Sequence, residues 1–86
     1  MSALDHRILD VISRTTMLPR EALSHDKTLT SLGIGSLEQI ECVLALEEEL
    51  KIELPDTDLW KLRTVGDVFA AVKRAAGERP PGTPSR

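Results

Sequence analysis

Ser36 is the residue whose neighbours best equip it for chemistry. It stands between a glycine-punctuated stretch, Ser31-Leu32-Gly33-Ile34-Gly35, and an acidic one, Leu37-Glu38-Gln39-Ile40-Glu41. A serine at a helix start accepts a hydrogen bond from a free backbone N–H of the first turn. Gln39, three residues on, completes a Ser-x-x-Gln capping box. The spacing predicts Ser36 as an N-cap with its oxygen near the surface. Helix N-termini favour anions through free N–H groups and the dipole. A phosphate ester on Ser36 would sit well there; a serine that only caps is the plainer alternative.

The remaining chemistry-bearing side chains form no catalytic set, so the chain reads as a non-enzyme. Cys42 is the single cysteine, which excludes an intrachain disulfide and a multi-cysteine metal site. It reads as a buried small hydrophobe. His6 falls on a helix and His25 in a loop, with no third ligand at metal spacing. Trp60 has two readings. Leu59 and Leu62 look inward-facing, which would push Trp60 out as a binding anchor; packing in the core is the alternative.

Four helices must position these residues. Leu4, Ile8, Val11, Ile12 and Thr15 recur at helical spacing and predict α1 over 3–16, with Ser2 as cap. Residues 17–35 read as a long connection with a short turn at 20–23 after Pro19. Leu18, Leu23, Leu29, Leu32 and Ile34 are expected to pin it to the bundle. Loops of this length in small domains often carry function. Helix α2 is predicted over 36–50. Pro55 disfavours helix at Leu54, and Asp56 or Thr57 would cap a short α3 over 57–62. Thr64 and Asp67 have capping-box spacing at the start of α4, predicted from Val65 to Ala76. Val65, Val68, Phe69 and Val72 face inward in it, and Gly77 is the stop. The domain is expected over 1–76, with a disordered tail over 77–86.

Helix α2 carries two apolar stripes. Cys42, Val43, Leu46 and Leu50 suit a core. Leu37, Ile40 and Leu44 form a second stripe flanked by Glu41, Glu47 and Glu48. One buried face needs one stripe. Either neighbours pack α2 on two sides, or the second stripe is a docking surface ringed by carboxylates.

The 86 residues bound one small domain. With one Trp, one Phe and no Tyr, the core must be aliphatic. That points to an all-α bundle of three longer helices and a short α3. Residues 31–56 hold seven carboxylates against Lys51 alone, whereas residues 1–30 are balanced and residues 57–86 are basic. Such a field suits basic protein partners and repels nucleic acid. No run approaches a membrane span and no signal core precedes the first helix. The expectation is a discrete, cytoplasmic monomer.

Leu32-Gly33-Ile34-Gly35-Ser36-Leu37-Glu38 resembles the Leu-Gly-x-Asp-Ser-Leu motif of acyl carrier proteins, with Gly35 where the family usually has Asp. Ala45-Leu46-Glu47-Glu48-Glu49-Leu50, Ile52-Glu53-Leu54-Pro55-Asp56 and Thr64-Val65-Gly66-Asp67-Val68 also resemble the family, in order, so the likeness covers about residues 4–76. It implies a four-helix carrier bundle, 4′-phosphopantetheine on Ser36, and acyl groups held as thioesters for fatty acid, polyketide or related biosynthesis. It implies a phosphopantetheinyl transferase and acyl-loading, condensing or modifying enzymes as partners. They would dock with basic surfaces on Leu37, Glu38, Ile40, Glu41, Leu44, Glu47, Glu48 and Trp60. Val43, Leu46, Leu50, Leu54, Leu59 and Leu62 are candidates to line an acyl pocket. An aminoacyl or peptidyl carrier, which more often shows Gly-Gly-x-Ser-Leu, and an unmodified interaction module of the same fold are the rivals. A helix-turn-helix DNA binder fits the acidic α2 poorly.

Overall fold

A computed structural model describes residues 2–77, so most of the expected tail, from residue 78 on, lies outside the described residues. The described elements are helical: α1 (Ala3–Thr16), α2 (Ser36–Leu50), α3 (Asp56–Leu59) and α4 (Val65–Ala75), with two 3-10 turns, Arg20–Ala22 and Thr30–Leu32. The all-α bundle with three longer helices, a short α3 and a long α1–α2 connection is therefore the fold.

Helix α1 begins where Ser2 Oγ accepts the Asp5 N–H and Asp5 Oδ2 accepts the Ser2 N–H, both at 3.1 Å. It ends as Met17 turns into the left-handed region at φ 63°. Helix α4 starts on the predicted Thr64–Asp67 box. Lys73 near its end pairs with Asp5 at 2.8 Å, joining α4 to the start of α1. Helix α2 ends at Lys51, also left-handed at φ 56°.

The core is one aliphatic cluster. Ile8, Leu9, Val11 and Ile12 of α1 meet Cys42, Val43 and Leu46 of α2 and Val65, Val68, Phe69, Ala71 and Val72 of α4. Leu9 is a core residue outside the predicted α1 stripe. Burial of these side chains, each worth about 1.5–3 kcal/mol, holds the helices together.

The long connection is better ordered than its composition suggests. Leu23, Leu29 and Ile34 are buried, and Leu18 and Leu32 pack against the core. Its backbone is also paired with the α3–α4 junction. Leu29 N–H donates to Arg63 O at 2.8 Å, Val65 N–H to Lys27 O at 3.0 Å and Gly66 N–H to His25 O at 3.0 Å. Gly66 suits this crossing, because a Cβ there would stand 3.1 Å from the His25 carbonyl oxygen and press on it. The His25 ring then lies against Phe69 with centroids 4.3 Å apart. These bonds deliver residues 28–35 to the start of α2.

Helix α3 differs from its predicted span. It starts at Asp56 after an extended Pro55, ends at Leu59, and neither Asp56 nor Thr57 caps it. Proline fixes φ near the value a first turn needs and forces Leu54 out of the helix, so the turn begins at once. Leu62 lies beyond α3 and is buried by the return toward α4.

Candidate functional site

The start of α2 corrects the predicted cap. The N-cap is Gly35, extended at φ −81° and ψ −176°, and Ser36 is the first helical residue. The Gln39 N–H makes an intrahelical bond to Gly35 O at 2.9 Å. Counted from Gly35, the third position is Glu38 rather than Gln39. Glu38 Oε1 accepts the Gly35 N–H at 3.1 Å, which is the half of a capping box that a glycine permits. A one-residue shift thus exchanges an amide for a carboxylate at the positive end of the helix, where negative charge is favoured. It also relieves Ser36 of capping. Its side chain is exposed and makes no hydrogen bond among the described residues.

Gln39 has a different task. Its Nε2 donates to the Leu59 carbonyl at 3.0 Å and so ties the first turn of α2 to the end of α3. An apolar cleft of about 340 Å³ is lined by Ser36, Gln39, Ile40, Leu59, Trp60 and Leu62. A second, more polar cleft of about 350 Å³ has Ser36 joined by Thr28, Thr30 and Arg63 in its lining. Ser36 borders both.

The second stripe of α2 is a surface. Leu37, Ile40 and Leu44 are 66%, 47% and 59% exposed, and Trp60 beside them is 85% exposed. Of the two readings of α2, packing on two sides is ruled out, and Trp60 is outside the core. The flanking carboxylates are unequal. Glu41 and Glu48 are exposed and have no ion-pair partner among the described residues. Glu47 is half-buried, and its Oε2 accepts the Leu54 N–H at 2.8 Å, holding the α2–α3 loop. Glu49 faces away, where Arg14 grips both carboxylate oxygens at 2.7 Å and Arg7 donates to the Glu49 carbonyl.

The six pocket candidates divide. Leu59 and Leu62 line the apolar cleft. Val43, Leu46 and Leu54 are packed in the core and Leu50 is partly buried against it, so these four do not face that cleft. Sequence reasoning did not single out Arg63, Thr28 or Thr30, because nothing local to them marks a site.

Cys42 is buried, and burial, followed by the charges of Glu41 and Glu38, pushes its thiol up to about 11. A thiol so protonated is no nucleophile near neutral pH. Among the described residues no three His, Cys, Asp or Glu side chains gather as a metal site. No described helix is long and apolar enough to cross a membrane.

A family profile described as "Phosphopantetheine attachment site" matches residues 6–72. The chain belongs to the acyl carrier protein family. An acyl carrier protein of Wolinella succinogenes is 41% identical over 63 residues, covering 73% of this chain and 83% of the relative. One from Kineococcus radiotolerans is 35% identical over 71 residues, covering 81% and 88%. One from Syntrophobacter fumaroxidans is 34% identical over 70 residues, covering 80% and 86%. The chain is thus a phosphopantetheine carrier protein, a carrier rather than a catalyst, and its cofactor is covalent 4′-phosphopantetheine. The residues around the start of α2 fit such a group. An unbonded, exposed hydroxyl is present, bordering both an apolar cleft and a cleft lined in part by Arg63.

Proposed function

We propose that 4′-phosphopantetheine is joined to Ser36 through a phosphodiester, and that the carrier domain spans residues 1–76. The observation carrying this is the hydroxyl of Ser36, which Gly35 frees from capping at an exposed helix start. The bound group supplies a terminal thiol that holds acyl intermediates as thioesters, for fatty acid, polyketide or related biosynthesis. The protein supplies anchor, charge and surface. The first-turn N–H groups of α2, Arg63, Thr28 and Thr30 would receive the phosphate. Ile40, Leu59, Trp60 and Leu62 would flank the apolar part of the arm. Shelter for a long acyl chain requires α3 to move off α2, since Val43, Leu46 and Leu54 are already packed.

The partners are a phosphopantetheinyl transferase and the acyl-loading, condensing or modifying enzymes that follow. Leu37, Ile40, Leu44 and Trp60 offer them an apolar centre, with Glu38, Glu41, Glu47 and Glu48 as an acidic rim. A basic docking surface matches that rim, and the charges act mainly on encounter and orientation. The same field disfavours nucleic acid. The carrier works as a cytoplasmic monomer in this reading.

Intact-protein mass tests it. Incubation with coenzyme A and a broad-specificity transferase is expected to add one phosphopantetheine, and Ser36→Ala to abolish the addition. No gain in mass for either the natural chain or Gly35→Asp overturns the assignment of Ser36 and leaves an unmodified interaction module.

A further inference from the structure

Arg63 is the one charged residue lining the polar cleft beside Ser36. Its backbone is held from both sides. The Arg63 N–H donates to Asp67 Oδ2 at 3.0 Å, and the Arg63 carbonyl accepts the Leu29 N–H at 2.8 Å. The residue is exposed, and its guanidinium makes no hydrogen bond or ion pair among the described residues. The carboxylates on the neighbouring elements are otherwise engaged. Asp67, which feels the Arg63 charge, accepts the N–H groups of Arg63 and Thr64. Glu38 accepts the Gly35 N–H.

Three segments meet at this cleft. Thr28 and Thr30 come from the α1–α2 connection, Ser36 from the first turn of α2, and Arg63 from the α3–α4 junction. Backbone bonds already join the connection to the junction, from Leu29 to Arg63 and from Val65 to Lys27, with Thr28 bridged to Thr64. The Ser36 hydroxyl is tied to neither. Thr28 Oγ1 accepts the Ser31 N–H at 3.2 Å, and a hydroxyl that accepts still has a proton to donate. A phosphodiester keeps one negative charge at neutral pH. A guanidinium is the side chain whose N–H fork matches two phosphate oxygens at once.

We propose that Arg63 binds the phosphodiester carried by Ser36, with the Thr28 hydroxyl beside it, and that loading thereby fastens the start of α2 to the α3–α4 junction. This rests on the reading of Ser36 as the attachment residue. In the unloaded chain the Arg63 cation stands at the cleft without a bonded anion. In the loaded chain it gains one, through a charge-assisted hydrogen bond between segments distant in sequence. Loading then changes the stability of the fold as well as its chemistry. The rest of the arm is left to the apolar cleft that Ser36 also borders.

The test compares the unloaded and loaded forms of the natural chain, R63Q, R63K and K61Q. Each is loaded to completion from coenzyme A by a phosphopantetheinyl transferase and checked by intact mass. Loading of the natural chain is expected to raise its melting temperature by about 3 °C. Hydrogen exchange at the Leu29 and Val65 amides should slow by about threefold. Both effects should shrink in high salt. R63Q should match the natural chain when unloaded and lose both effects on loading, while R63K, which keeps the charge, and K61Q, which alters a residue outside the cleft lining, should retain them. A separate reading needs no variant: the Arg63 Nε–H resonance of the natural chain should shift on loading and that of Arg14 should not. A loaded R63Q that gains as much stability as the natural chain, or an Arg63 resonance indifferent to loading, overturns the role of Arg63 and leaves Ser36 in place. A natural chain that takes no phosphopantetheine overturns the Ser36 reading and this inference with it.

Discussion

Gln39 Nε2 donates to the Leu59 carbonyl at 3.0 Å, the side-chain bond that fastens α3 to the first turn of α2 beside Ser36. It bridges residues 20 apart, and Gln39 lines both clefts. A four-residue helix cannot sustain itself on its own hydrogen bonds, so α3 depends on this contact and on Leu59 and Leu62. Gln39→Ala is expected to cost about 1 kcal/mol of stability. Amide hydrogen exchange should quicken at residues 56–62 and stay unchanged in α1.

The acidic rim is expected to split into structural and free members. Glu47→Ala removes the acceptor of the Leu54 N–H and should destabilise the fold by about 1–2 kcal/mol. Glu48→Ala touches no intramolecular bond and should leave stability within about 0.5 kcal/mol. Both should weaken binding to a basic partner, and both losses should shrink as salt rises. Urea unfolding beside a titration against one basic partner at two salt concentrations separates the two effects.

Acid should probe the junction of α1 and α4. The Lys73 ammonium, then the Ser2 backbone N–H, hold the Asp5 carboxyl down from its ordinary 3.8 to about 2. The depressed value means that the ionised form is the one that stabilises the fold. That contribution is complete above the ordinary carboxylate range and is lost as pH falls through about 2. Asp67, held below its usual range by the N–H groups of Arg63 and Thr64, adds in the same direction. Asp5→Asn should lower the melting temperature at neutral pH. The gap between the two proteins should close as pH drops from about 4 to about 2.

Leu46 and Trp60 should respond in opposite ways to truncation. Leu46 is fully buried at the α1–α2 contact. Leu46→Ala should cost about 2–5 kcal/mol, a large share of the 5–15 kcal/mol typical of a whole domain. Trp60 is exposed, so Trp60→Ala should change stability by less than about 0.5 kcal/mol. Its fluorescence should report a water-exposed indole. It should shift to the blue when a partner covers the apolar centre of α2.

The sequence by itself determined what depends on near neighbours. The spacing of Ile8, Val11 and Ile12, of Cys42, Val43 and Leu46, and of Val65, Val68 and Val72 repeats within one or two helical turns. Each repeat is a local property that predicts a helix and its buried face. The caps at Ser2 and Thr64 are local in the same sense, as is the crowding of carboxylates between residues 31 and 56. The two stripes of α2 were also legible, and Cys42, Val43, Leu46 and Leu50 were the stripe suited to the core, but whether the second stripe met solvent or a neighbour was not.

Tertiary structure decided the rest. Whether α2 begins at Gly35 or Ser36 is a shift of one residue that spacing cannot resolve, yet it releases the Ser36 hydroxyl and turns Glu38 back onto position 35. Gln39 finds Leu59, and residues 25–29 find 63–66, only when the chain has folded back on itself. Val43, Leu46 and Leu54 fill the core, which leaves Leu59 and Leu62 to face the cleft. Helical period and capping chemistry act over a few residues and are written in the order of the chain. Exposure and partnership depend on which distant segments come to lie beside each other, and packing alone settles that.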